Sequence, residues 1–259
     1  MRVRSLPRAG SQSRLWRGFA VPGFQAHITG SSIVGAGYAA AAWYVGGLPP
    51  VTCLLGGTVC AVAGMLPDLD SGPGVPMRES VSFAAALVPM LLLQRFQQMG
   101  MPMEAIILAG AAVYALIRFG MTWLLEHYSV HRGMFHSLPA AAIAGQVTFL
   151  AFGHDDPMRR YFISGAVVLG FLTHLVLDEI WSVRLGLFGT KVKKAFGTAL
   201  KFHGPVLWSN IVAYVLVIAL GLIAATDAHR TERMSLTRQQ MEQASRSYQT
   251  MPAPYNYRR

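Results

Sequence analysis

The sequence predicts an all-α fold, a polytopic transmembrane helical bundle of about six to seven apolar segments with polar, basic tails. Three observations predict it. Of the 259 residues, 53% are hydrophobic and 13% are Asp, Glu, Lys or Arg, about half the charged share of a soluble domain. Apolar runs recur along the whole chain, separated by short polar or Gly/Pro-rich breaks. The formal charge of +10 gathers in the two tails and in residues 184–201, where juxtamembrane cations meet anionic lipid. Lipid contact accounts for the charge more simply than a nucleic-acid partner, so no nucleic acid is expected.

The apolar segments lie near 31–48, 51–66, 81–96, 104–125, 138–152, 161–180 and 205–225. A helix crosses the hydrocarbon core with about 20 residues, and about 17 is the lower limit. The fourth, sixth and seventh segments pass that test, and the first is adequate. The second, third and fifth are short and fit tilted, re-entrant or buried helices. Residues 1–26 carry five Arg and no acid, and they lack the continuous apolar run of a signal peptide. Residues 27–225 form the membrane domain. Residues 226–259 are rich in Gln, Ser, Thr and Arg and are expected to be disordered. Cys53 and Cys60 are expected to be packing residues without a disulfide.

Seven alternating spans put the loops near 67–80, 126–137 and 181–204 on the side of the N-terminus. That side then holds 12 Lys/Arg, while the opposite short loops hold Arg159 and Arg160. The positive-inside rule places the richer side in the cytoplasm. The six Arg of the last tail pull the other way.

Ionisable groups are costly at membrane depth, so those at segment ends point to function. "LPDLDS" brings Asp68 and Asp70 to a helix-breaking turn; alone, the pair would read as a solvated loop. In "HLVLD", His174 and Asp178 stand four apart, on one face of a helix. In "HRGMFHS" a continuous helix would point His131 and His136 about 140° apart, whereas a turn centred on Gly133 would let both imidazoles face one cavity. Ser137 is placed to cap the next helix. His27 opens the first segment. On seven spans all of these groups emerge on one side. His27, Asp68, Asp70, His131, His136, His174 and Asp178 are thus candidate N and O ligands for one or two divalent ions. Zinc suits them best, with manganese or iron as alternatives. Arg132 and Asp70 are the candidate catalytic residues, Arg132 as a cation for an anionic substrate. No G-x-S-x-G, Walker or HExxH motif occurs.

"HITG", "LPDLDS", "HRGMFHS" and "GFLTHLVLD", in that order, resemble the YdjM family of inner-membrane proteins, regarded as metal-dependent hydrolases similar to zinc-dependent phospholipase C-like enzymes. The resemblance covers about residues 24–180. It implies metal ligation by the same seven residues, with Phe135 standing where the family often has Thr. It also implies a multi-pass inner-membrane location and a phospholipid or related phosphoester as substrate. The expected function is metal-dependent phosphoester hydrolysis. The alternatives are a non-catalytic metal-binding or metal-transporting protein, and a scaffold that has lost activity.

Overall fold

The computed structural model describes residues 24–70, 75–123, 136–186, 189–192, 201–204 and 206–250. Each predicted apolar segment supplies one helix. They are α1 (Phe24–Tyr44), α2 (Pro50–Ala63), α3 (Val75–Gln98), α4 (Met103–Ala115), α5 (Leu138–Ala151), α6 (Pro157–Ser182) and α7 (Leu207–Thr250). A short 3₁₀ helix, Leu66–Asp70, follows α2, and a π-helical turn, Leu116–Met121, continues α4. The turn expected at Asp68 and Asp70 is therefore a 3₁₀ helix, which places Asp68 in its first turn.

Among the described residues, four helices are long and apolar enough to cross a membrane: Met77–Gln98, Met103–Met121, Pro157–Trp181 and the apolar part of Leu207–Ser247. The third segment is longer than its apolar run implied, because polar residues at both ends and Pro76 in the first turn are compatible with helix. α2 and α5 stay short, as expected. α1 is not among the four despite its 21 residues, since His, Ser, Thr and Gly dilute its apolarity. It stops at Gly46–Gly47, where Gly47 takes φ +64°, a backbone conformation that costs glycine little.

Residues 226–250 of the tail are helical where disorder was expected, and residues 251–259 lie outside the described residues. α7 continues to Thr250, because no Gly or Pro interrupts residues 222–250 and Arg, Gln, Glu, Met and Ala favour helix. The basic stretch after α6 also departs from an all-helical chain. There β1 (Val183–Gly186) and β2 (Gly189–Val192) pair as one antiparallel hairpin.

The core lies where α1, α2 and α6 meet, around Val59, Cys60, Ala63, Ile163, Ala166 and Val167. Glycines let the backbones approach. A Cβ on Gly35 of α1 would stand 2.5 Å from the Gly57 carbonyl of α2. A Cβ on Gly170 of α6 would collide with the Cys60 carbonyl of α2. Gly170 lies one turn before His174, so this close crossing seats the imidazole against α1 and α2. Cys53 and Cys60 are buried free thiols, as expected.

The helices alternate in direction and leave a polar cluster at each end of the bundle. One end holds the candidate ligands. At the other, Arg160 is fully buried and bonds Asp227, Thr231 Oγ1 (3.0 Å) and the Phe149 carbonyl (2.9 Å). Arg95 reaches the same carboxylate (3.3 Å, Nη1 to Oδ1) and the Leu150 carbonyl (2.8 Å). Asp227 thus ties α7 to α3 and α6.

Candidate metal centre

Five of the seven predicted ligands meet at one end of the bundle. His27 comes from the first turn of α1, Asp68 from the 3₁₀ helix, His136 from the residue before the α5 cap, and His174 and Asp178 from α6. Local chemistry sets each one. Ser137 caps α5 by accepting from the Ala140 N–H at 3.3 Å, as its position predicts, and this fixes where His136 leaves the helix. The four-residue spacing of His174 and Asp178 stacks both side chains on one face, 3.7 Å apart at Nε2 and Oδ2.

The carboxylate of Asp178 is the centre of the group. Its Oδ1 lies 3.3 Å from His27 Nε2, and its Oδ2 lies 3.7 Å from His174 Nε2 and 4.0 Å from His136 Nε2. Asp68 Oδ1 approaches His174 Nε2 from the other side at 3.7 Å. The His27 and His174 rings stack at 3.9 Å, and His136 meets His174 edge-on at 5.6 Å. All three imidazoles are at least 95% buried, whereas the two carboxylates keep about a fifth of their side-chain surface. The centre therefore opens on its acidic side.

His174 shows what the arrangement can hold. Its Nδ1 lies 2.7 Å from the Gly64 carbonyl. A carbonyl can only accept, so Nδ1 carries the proton and neutral Nε2 presents its lone pair. That lone pair faces two carboxylates at 3.7 Å, beyond hydrogen-bond range, and Nε2 is buried without a hydrogen-bond partner. Three electron-rich groups converging on one point are satisfied by a cation, and an imidazole fixed by a carbonyl at its other nitrogen is the usual form of a histidine ligand. The donors fall into two triads, His27/His174/Asp178 and Asp68/His136/His174, each with its ligand atoms within 4.8 Å of one another. The residues therefore fit a divalent ion. Both triads use His174 Nε2, and a single lone pair binds a single cation.

The remaining predicted site residues are His131, Arg132 and Asp70. His131 and Arg132 lie outside the described residues. Asp70 closes the 3₁₀ helix, and its carboxylate lies outside the described side chains. Sequence reasoning missed the Gly64 carbonyl, since a backbone acceptor has no residue signature. It also missed the Arg95–Asp227–Arg160 cluster. The signal available there was a charged residue at the edge of each of three apolar segments.

No curated protein and no solved structure gives a significant match. The family described as YdjM inner membrane protein matches residues 26–237, a span that contains all five residues that meet at the centre. On that match across most of its length, the chain belongs to the YdjM inner membrane protein family.

Proposed function

We propose that the chain is an integral-membrane, metal-dependent hydrolase that cleaves a phosphoester, most simply that of a lipid. The observation that carries this reading is the buried His174 lone pair aimed, with two carboxylates, at one point on an open rim of the bundle. His27, His136, His174, Asp68 and Asp178 would hold the ion, and the nitrogen and oxygen donors favour zinc, with manganese or iron as alternatives. A divalent ion in such a site lowers the pKa of water and polarises a phosphoryl oxygen.

The chain's own groups do the rest. Gly64 holds the His174 ring in orientation. The partly exposed Asp68 carboxylate can take the proton of an attacking water. Hydrolysis then joins the water oxygen to phosphorus, breaks the ester P–O bond and returns a proton to the leaving alcohol. In this reading Arg132 offsets the developing negative charge and Asp70 is the second catalytic residue. A site at a helix end, near the head-group level, suits a lipid ester better than the mid-membrane position typical of transport.

The number of candidate protein donors favours a second reading, metal binding without catalysis, because sites whose positions are all filled by protein are the structural kind. Zinc-loaded full-length protein is expected to release phosphate or a phosphorylated head group from phosphatidic acid or phospholipid vesicles. Chelation should stop the release and zinc should restore it. Protein that keeps a stoichiometric ion and cleaves none of these lipids would favour the second reading.

The excess of basic residues at the site's end supports its placement in the cytoplasm. Alkaline phosphatase fused after Arg259 is then expected to be active, because α7 carries the C-terminus to the opposite side. An inactive fusion there, with an active one at the N-terminus, would reverse the orientation.

A further inference from the structure

The span Met103–Met121 is apolar, and almost none of it is covered by the rest of the chain. Its charged residues are Glu104 near the start and Arg118 near the end. A guanidinium carries five N–H donors and no acceptor, and a cation on a lipid-exposed span is costly unless an anion meets it. Among the described residues no carboxylate or carbonyl bonds the Arg118 guanidinium, which stands 5.9 Å from the centre of the Phe119 ring. Leu116 and Phe119 are 70% and 67% exposed, so half-buried Arg118 is flanked by lipid-facing surface. The backbone changes at the same place. Leu116–Met121 is a π-helical turn, a form frequent at functional sites, and Thr122 Oγ1 donates to the Arg118 carbonyl at 2.7 Å.

The depth of this group follows from its neighbours. Ile117 packs with Leu69, Met77 and Val81, and Leu69 follows Asp68. This end of α4 therefore lies at the end of the bundle that holds the candidate ligands. Exposed tryptophans mark the lipid–water interface there: Trp123 beyond the π-helical turn, Trp181 near the end of α6 and Trp208 at the start of α7. Arg118 precedes Trp123 by five residues, about 7 Å along the helix. It sits below the aromatic level, from which a long cationic side chain reaches head-group phosphates.

We propose that Arg118 and the π-helical turn around it bind the phosphate of a membrane phospholipid, from the leaflet on the side of the metal centre. The planar guanidinium matches two phosphate oxygens at once, the Phe119 ring supports it, and Leu116 and Phe119 lie against the acyl chains. Those apolar flanks commit the site to a lipid and not to a soluble anion. The inference goes beyond the hydrolase reading and does not depend on it, because the lipid held at Arg118 need not be one that is cleaved.

The test uses purified full-length protein, delipidated in detergent, with native mass spectrometry to count bound lipids. Phosphatidylglycerol and phosphatidylethanolamine are compared with diacylglycerol of the same acyl chains, and inorganic phosphate is the soluble competitor. Wild type is expected to bind one copy of either phospholipid about tenfold or more tighter than diacylglycerol. Arg118→Gln should lose that preference and keep its melting temperature and metal content, since it orphans no carboxylate. Arg118→Lys reaches the interface equally well but lacks the planar fork, so it should bind several-fold more weakly than wild type. An arginine that only extends to water predicts no phospholipid preference in any of the three proteins. Wild type without the preference, or either variant binding as wild type does, would overturn the proposal. So would displacement of the bound lipid by inorganic phosphate as readily as by phospholipid, which would make the occupant a soluble anion. No turnover enters these measurements, so failure of the hydrolase reading is seen separately.

Discussion

Asp178→Ala protein is expected to purify without the divalent ion proposed for the wild-type chain. The Asp178 carboxylate is the one group that faces all three buried imidazoles, so its removal takes a ligand from the site and leaves the nitrogens without their anionic partner. Losing a residue that merely orients a ligand costs roughly 10–100-fold in metal affinity, and loss of this carboxylate should exceed that. Metal analysis of purified protein reads the effect directly. Thermal unfolding in detergent gives an independent check. An ion present at about 100 times its Kd adds about 2.7 kcal/mol to the folded state. Zinc should therefore raise the melting temperature of wild type and leave that of Asp178→Ala nearly unmoved. His174→Ala should behave alike, since its Nε2 belongs to both triads. Two variants with full metal content would remove the centre as assigned.

The second large effect lies at the opposite end of the bundle. Asp227→Ala leaves Arg160 fully buried beside Arg95, with neither guanidinium paired to a carboxylate there. Orphaning one member of a buried ion pair costs roughly 3–5 kcal/mol. Asp227 and Arg95 each retain about a fifth of their side-chain exposure, so the lower end of that range is expected. The readout is an unfolding transition at clearly lower temperature, with metal content preserved. Arg160 and Asp178 are 18 residues apart on one helix, about 27 Å, too far for the loss to reach the centre directly. The double change Arg160→Met/Asp227→Leu, which removes the charges together, should recover much of the stability. An unchanged transition in Asp227→Ala would mean that the cluster does not secure α7.

Legibility differed sharply between parts of this chain. Every helix was visible as an apolar run, because a bilayer requires long apolar stretches with few charges and leaves little choice of backbone. Ends were read less well. α1 begins at Phe24 and not near 31 because polar residues can occupy a helix that packs against neighbours, and a hydropathy pattern does not register them. α7 runs on to Thr250 because its polar half is rich in helix formers and is secured through Asp227. Composition signalled low hydrophobicity there, and low hydrophobicity alone does not separate a solvated helix from a disordered tail.

The candidate ligands divide along the same line. Residue types and the four-residue spacing on α6 made His174 and Asp178 legible, and the parity of the spans put His27, Asp68 and His136 on the same side. Chain chemistry alone therefore determined the membrane class, the seven apolar helices of the described residues and the identity of the side chains that converge. Tertiary structure decided which donors share a point. Glycine contacts between α1, α2 and α6 bring His27 onto His174, and the Gly64 carbonyl turns the His174 lone pair toward two carboxylates. Those are contacts between residues up to 147 positions apart, set by how closely backbones pack, and a local sequence pattern carries no record of them.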